Sequence, residues 1–189
     1  MQLHVIEEPT CDYCGRNDLG VCNDCNRWRP HMLINKNRAV YRYNPFLKDL
    51  ITRFKYRGDY ILIEALSLMI KQTFITAYSK LPKKTVLVPI PLSSKRLQNR
   101  GFNQAEAIAK CLPYPTVQLL RRTEGEKQAK KNRKQRLTMK NPFELMDQVD
   151  AELIILIDDI YTTGATIHHA AQILKENGYR NISSFTLVR

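Results

Sequence analysis

The chain has 189 residues, enough for one well-packed domain with a small module beside it. Hydrophobic residues make up 43% and charged residues 25% of the sequence, which is an ordinary globular composition. The net charge is +12, because 30 Lys and Arg face 18 Asp and Glu. Such an excess favours polyanionic partners, namely nucleic acid, an anionic membrane surface or phosphorylated small molecules.

The hydropathy pattern argues against export and membrane insertion. The N-terminus lacks a basic start followed by an apolar core, so a signal peptide is not expected. The most apolar stretch, residues 61–70, contains Glu64 and is too short to span a bilayer. We therefore expect a cytoplasmic protein without a membrane span, whose thiols remain reduced.

Four of the five cysteines lie close together near the N-terminus, as two Cys-x-x-Cys pairs separated by seven residues. Each pair can form a tight turn, and four thiolates suit tetrahedral Zn²⁺. Disulfides, redox thiols and an iron–sulfur cluster are the alternatives, of which the cytosol disfavours the first. The sequence thus predicts a zinc finger over residues 1–38 that could hardly fold without its metal. Its predicted ligands are Cys11, Cys14, Cys22 and Cys25.

The remaining residues, 39–189, alternate between helical and strand patterns. Apolar spacing predicts helices that begin after Pro45 and that cover 60–78, 103–111 and 166–177. Apolar runs predict strands at 85–90, 115–120, 153–157 and 182–188, of which 85–90 and 153–157 suit burial on both faces. This alternation predicts an α/β fold with a mostly parallel sheet flanked by helices.

The strand at 153–157 leads into two acids, Asp158 and Asp159, and then into a loop of small and hydroxylated residues before a helix. The loop residues are Thr162, Thr163, Gly164, Ala165 and Thr166. Ligands of open α/β sheets bind beyond the carboxyl ends of the strands, and a helix start favours an anion. Carboxylates accept hydrogen bonds from ribose hydroxyls and also bind Mg²⁺. The segment therefore predicts a site for a phosphorylated ribose, whereas a simple helix cap would not need two acids.

This Asp-Asp-x-x-Thr-Thr-Gly-x-Thr segment resembles the phosphoribosyltransferase motif. The resemblance implies that Asp158 and Asp159 contact the ribose hydroxyls of phosphoribosyl pyrophosphate, and that residues 162–166 surround its 5′-phosphate. Residues 88–106, VPIPLSSKRLQNRGFNQAE, resemble the central motif of the ComF family of competence-associated proteins. That resemblance implies a type I phosphoribosyltransferase-like domain over 39–189. It also implies that the loop from Ile90 to Lys95 faces pyrophosphate.

Basic residues near these motifs are further candidates for contact with pyrophosphate or DNA. Two groups are singled out: Lys95, Arg96 and Arg100 in the ComF motif, and Lys130, Lys131, Arg133 and Arg136 in the segment 121–140. This segment carries nine Lys and Arg against two Glu, and the resemblance places a flexible loop there. A solvated surface loop has the same composition, so that alternative stays open. His168 and His169 have no carboxylate or serine partner at a recognisable spacing, and we expect them on the surface or the helix flank.

The family resemblance implies a role in natural transformation, in which the protein binds incoming single-stranded DNA inside the cell. Phosphoribosyl pyrophosphate would be a stabilising or regulatory ligand, and a competence helicase would be a further partner. The alternative is an active, Mg²⁺-dependent phosphoribosyltransferase that displaces pyrophosphate in favour of an unknown acceptor. A scaffold that has lost its ligand is the third reading, and the intact loop at 162–166 argues against it.

Overall fold

A parallel four-stranded sheet lies at the centre of the computed structural model, which describes residues 3–8, 11–16, 20–56, 61–123 and 141–189. In spatial order its strands are β1 (Asn37–Tyr41), β6 (Ile182–Val188), β5 (Leu153–Ile160) and β2 (Thr85–Pro89). This arrangement confirms the predicted α/β fold with a mostly parallel sheet flanked by helices. It is consistent with the type I phosphoribosyltransferase-like architecture that the resemblance implies.

The strand β5 is the middle of the sheet in composition as well as position. It pairs with β2 along one edge and with β6 along the other. Its apolar run is buried on both faces, because other elements pack against each face of the sheet. The register sets Ile157 beside Pro89 of β2 and Asp158 beside Thr186 of β6. Since parallel strands share one direction, their carboxyl ends meet at a single edge, and Asp158 and Asp159 lie there.

Helices cover one face of the sheet: α2 (Pro45–Tyr56), α3 (Ile61–Ala77) and α5 (Gln104–Lys110). The opposite face packs against α6 (Ala165–Glu176), the four cysteines and an antiparallel pair, β3 (Leu120–Arg122) with β4 (Phe143–Leu145). Two short helices complete the described chain, α1 (Asn23–Trp28) after the third cysteine and α4 (Ser94–Arg100) after β2. A 3-10 turn, Arg29–His31, follows α1.

Helix α3 shows one buried side and one exposed side. Phe74 is fully buried and lies edge-on against Phe185 of β6, with ring centroids 5.2 Å apart. Ile61 and Leu68 of the same helix are 70% and 66% exposed, so the apolar stretch at 61–70 is only partly covered. Across the described ranges, no helix combines the length and apolarity that a bilayer crossing requires.

The structure differs from the sequence-based prediction in two elements. The strand predicted at 115–120 is reduced to a single bridge between Thr116 and Leu87, and the strand that follows begins only at Leu120. Helix α4 was not predicted, because every residue from 94 to 99 is exposed and no apolar periodicity marks it.

Candidate functional site

The loop between β5 and α6 lies at the carboxyl edge of the sheet. Asp159 is 9% exposed and Asp158 is half-buried. The backbone N–H of Asp159 donates to the Asp158 carboxylate over 2.8 Å. Gly164 precedes the first turn of α6 in the left-handed conformation, with φ +83°. The acids and the start of the helix are thus set a few residues apart on the same edge.

Gly164 is required by space as well as by backbone conformation. A Cβ atom built on Gly164 would lie only 2.6 Å from Cζ of Tyr161 and would also collide with the Tyr161 hydroxyl. Tyr161 is 2% exposed, and burial raises the pKa of its phenol, so the ring stays neutral. Any side chain at 164 would displace this ring and with it the loop.

The loop after β2 forms the facing wall of the site. The Asn103 side chain fixes this loop to α5, because its amide donates to the Ile90 carbonyl over 3.0 Å and its oxygen accepts from the Ala105 N–H over 3.0 Å. Arg100 at the end of α4 donates to the Gln104 side-chain oxygen over 2.9 Å. These contacts place the arginines of α4 opposite the acids of β5.

Between these two walls lies a cavity of about 260 Å³. Its charged and hydroxyl lining comprises Arg96, Arg100, Arg122, Asp158, Asp159, Thr162 and Thr166. Burial and then the charge of Arg96 lower the pKa of Arg122, whereas Asp158 raises it. Cations and carboxylates are therefore close enough to act on each other. Such a cavity offers donors to phosphates and acceptors to sugar hydroxyls.

The structure brings most of the described candidate residues together. Lys95 is the exception among the basic residues, since it is exposed on α4 and outside the lining of this cavity. Thr163 lines a neighbouring cavity, and Gly164 and Ala165 form the start of α6. Lys130, Lys131, Arg133 and Arg136 lie outside the described residues. Arg122 was missed as a site residue, although it belongs to the basic segment 121–140 that the sequence analysis describes.

A second, larger cavity of about 630 Å³ adjoins the first. It shares Ile160 and Thr162 with the smaller cavity but extends over the ends of β1 and β6. Its polar lining comprises Arg16, Asp24, Arg42, Tyr43, Thr163 and Arg189. A molecule bound there would lie beside a sugar held at Asp158 and Asp159.

The four N-terminal cysteines converge as the spacing predicted. Their Sγ atoms all lie within 4.8 Å of one another, and each residue is at most 4% exposed. The Gly15 N–H donates to the Cys11 carbonyl and the Asn26 N–H donates to the Cys22 carbonyl, each over 2.9 Å. Tetrahedral Zn²⁺ with bonds of about 2.3 Å separates its sulfur ligands by roughly 3.8 Å, so this cluster fits the metal with little adjustment.

The electrostatics of the cluster also suit a cation. A hydrogen bond from Cys25 lowers the pKa of Cys14 to about 4, and Arg189 acts in the same direction against the effect of burial. Burial raises the pKa of Cys22, and the hydrogen bond to Cys14 raises that of Cys25. The hydrogen-bonded pair of Cys14 and Cys25 thus favours a shared negative charge, which a metal ion would neutralise.

The prediction for His168 was wrong. Its side chain is 1% exposed, and its ring is stacked on Trp28 from the cysteine module. Burial and then the nearby His169 lower the pKa of His168 to about 4, so the ring is neutral. His169 is exposed, as expected. Helical periodicity could not reveal the buried histidine, because the module that covers it is distant in sequence.

Together the fold and the site define an α/β protein of phosphoribosyltransferase-like type with a four-cysteine module. No protein-family model matches the chain. The chain is 44% identical to competence protein ComFC of Bacillus subtilis (strain 168), over 100% of this chain and 81% of that protein. The chain therefore belongs to the ComF family, as the motif at 88–106 predicted.

Two further relatives match the chain over nearly its whole length. Competence protein ComFC of Streptococcus pneumoniae (strain ATCC BAA-255 / R6) is 36% identical over 97% of this chain and 82% of its own length. The DNA utilization protein YhgH of Salmonella typhi is 28% identical over 100% of this chain and 94% of its own length. Both matches span nearly the whole chain, so the relationship is not confined to one segment.

We expect removal of metal from the four cysteines to lower the melting temperature by roughly 5–10 °C, because a module with few apolar residues depends on its metal. Cys22→Ser should have the same effect and should abolish stoichiometric zinc in metal analysis. Cys111→Ser is the matched control, since Cys111 is half-buried at the end of α5 and outside the cluster. A zinc-free wild-type protein that melts at an unchanged temperature would contradict this prediction.

Proposed function

We propose that this protein acts in DNA uptake, where it binds single-stranded DNA and a ligand of the phosphoribosyl pyrophosphate type in the cytoplasm. The names of its relatives, competence protein and DNA utilization protein, support the role in DNA uptake. The division into a zinc finger, residues 1–38, and a phosphoribosyltransferase-like domain, residues 39–189, remains our prediction for its organisation. A helicase of the competence machinery is a further proposed partner.

One observation supports the ligand above all others, namely the opposed charges of the 260 Å³ cavity. Asp158 and Asp159 offer four carboxylate oxygens to ribose hydroxyls and to a Mg²⁺ ion that accompanies pyrophosphate. Arg96, Arg100 and Arg122 lie across from them and suit the pyrophosphate itself. The loop at 162–166 and the start of α6 suit the 5′-phosphate.

DNA binding is supported by charge more than by geometry. The net charge of +12 attracts a polyanion over a distance. Lys95 and Arg96 are exposed on α4 and close to the cavity edge. The segment 121–140 carries nine Lys and Arg against two Glu; it begins within β3 and ends before β4. Its positive charge would attract the phosphate backbone of DNA.

An active phosphoribosyltransferase is the second candidate, and the 630 Å³ cavity favours it. A transferase needs space for an acceptor beside the anomeric carbon of the ribose, and this cavity adjoins the first at Ile160 and Thr162. We expect Mg²⁺-dependent pyrophosphate release with at least one acceptor from a panel of bases and nucleosides. If phosphoribosyl pyrophosphate binds but no acceptor leads to the release of pyrophosphate, the protein binds this ligand without transferring its ribose phosphate.

We expect Asp159→Asn to weaken phosphoribosyl pyrophosphate binding by roughly 10–100-fold, because a hydrogen bond to a charged acceptor contributes about 1.5–3 kcal/mol. Isothermal titration calorimetry with Mg²⁺ present measures this. Asp147→Asn is the control, since Asp147 is an exposed acid outside the cavity. Equal affinity in the two variants would remove the ribose role of Asp159.

We expect the affinity for single-stranded DNA to fall steeply with salt, because phosphate contacts release counterions. Replacement of Lys130, Lys131, Arg133 and Arg136 by Ala should weaken binding and flatten the salt dependence. A variant with Lys71, Lys80, Lys83 and Arg180 replaced by Ala loses the same charge outside this segment and serves as the control, since all four residues are exposed. If both variants lose affinity equally, general charge rather than this segment binds DNA.

A further inference from the structure

Trp28 of the cysteine module contacts the loop at residues 162–166, which is called the phosphate loop below. This residue lies three positions after Cys25, at the end of α1. Its indole N–H donates to the Thr163 carbonyl over 2.6 Å, and its ring stacks on His168 of α6 with centroids 4.1 Å apart and planes 5° from parallel. One side chain therefore contacts both the loop and the helix that follows the loop.

Arg189 makes a second connection between the same two regions. Its side chain is 5% exposed. One guanidinium nitrogen donates to the carbonyls of Thr162 over 2.7 Å and Tyr161 over 3.2 Å. The other contacts the Cys22 Sγ over 3.7 Å and the Asp24 carboxylate over 3.4 Å. The guanidinium thus bridges the loop and the metal-binding cluster.

These contacts orient three consecutive peptide groups. The carbonyls of Tyr161, Thr162 and Thr163 all accept hydrogen bonds from Arg189 or Trp28. In a planar trans peptide the following N–H points opposite to the carbonyl. The N–H groups of residues 162–164 are consequently directed away from the Arg189 and Trp28 donors. They donate no hydrogen bond to a backbone carbonyl within the described part of the chain. Such aligned donors are what a phosphate group requires.

We propose that Trp28 and Arg189 are positioning residues of the phosphate loop, and that through them the metal state of Cys11, Cys14, Cys22 and Cys25 sets the affinity for phosphoribosyl pyrophosphate. This inference rests on the proposed ligand. A metal bound by the four cysteines fixes α1, because Cys22 precedes that helix and Cys25 lies within it. Trp28 and Asp24 belong to the same helix, so their contacts to the loop and to Arg189 depend on its position.

Trp28→Phe tests the positioning role, because it removes the indole N–H while an aromatic ring remains to stack on His168. We expect binding of phosphoribosyl pyrophosphate with Mg²⁺, measured by calorimetry, to weaken by roughly tenfold, the effect of one hydrogen bond to a preoriented carbonyl. Arg189→Lys, which keeps the charge but loses the forked geometry, should weaken binding as well.

Tyr78→Phe is the matched control for Trp28→Phe. The Tyr78 hydroxyl is buried and donates to the Ser184 carbonyl over 2.7 Å, far in sequence from the phosphate loop. The Tyr78→Phe variant therefore loses the same type of hydrogen bond to a backbone carbonyl as Trp28→Phe. A purely structural role for Trp28 would give both variants a similar loss of melting temperature and an unchanged ligand affinity. Selective loss of affinity in the Trp28 and Arg189 variants supports positioning.

The metal is tested with the wild-type chain. Trp28 is the single tryptophan of the protein, so emission after selective excitation of tryptophan reports on the surroundings of this side chain. We expect zinc-stripped protein to show red-shifted emission and at least tenfold weaker binding of phosphoribosyl pyrophosphate, both restored by added Zn²⁺. Stripped protein that binds as tightly as the zinc-loaded form overturns the metal dependence.

The outcomes separate this inference from the proposed function. If zinc-loaded wild-type protein does not bind phosphoribosyl pyrophosphate, the proposed ligand is wrong and the inference fails with it. If the wild type binds and Trp28→Phe and Arg189→Lys bind equally well, the ligand stands and the positioning role is overturned. Should Trp28→Phe fail to fold, Arg189→Lys and the metal titration still decide.

Discussion

The parallel pairing of β5 with both of its neighbours determines where the acids, the arginines and the two cavities of this protein lie. Because β2, β5 and β6 run in one direction, their carboxyl ends meet at the same edge. The loop after β5 borders both cavities through Ile160 and Thr162. The arginines of α4 follow β2, and Arg189 follows β6. A change in register would move Asp158 and Asp159 away from both sets of cations.

A start of a helix is by itself a weak anion site, and a loop of Thr and Gly residues is flexible before a ligand orders it. Here the order is supplied from outside the loop. Tyr161 fills the space beside Gly164, while Arg189 and Trp28 hydrogen-bond the loop carbonyls. Buried neighbours that preorient a binding loop reduce the entropy lost when the ligand binds. The cysteine module therefore contributes to the site without lining the smaller cavity.

The parts of this site that depend on short sequence spacing could be predicted, and the parts that depend on distant contacts could not. The Cys-x-x-Cys pairs and the acids after a buried strand are local patterns with direct chemical meaning. Trp28 and Thr163, in contrast, are 135 positions apart, and the Arg189 to Cys22 contact spans 167. His168 was expected on the surface or the helix flank, and the pattern of α6 alone contains no sign of the Trp28 ring that covers it. Helix α4 escaped prediction since its exposed residues have no apolar period.

The bridge between cluster and loop has a consequence that does not depend on which function is correct. Linked binding equilibria are reciprocal. If the metal raises the affinity for the sugar phosphate, the sugar phosphate must raise the affinity for the metal by the same factor. Arg189 connects the two binding sites directly, because the same guanidinium contacts the Cys22 sulfur and the Thr162 carbonyl. In the cell the two ligands would then stabilise the same folded state, and loss of either ligand would lower the affinity of the protein for the other.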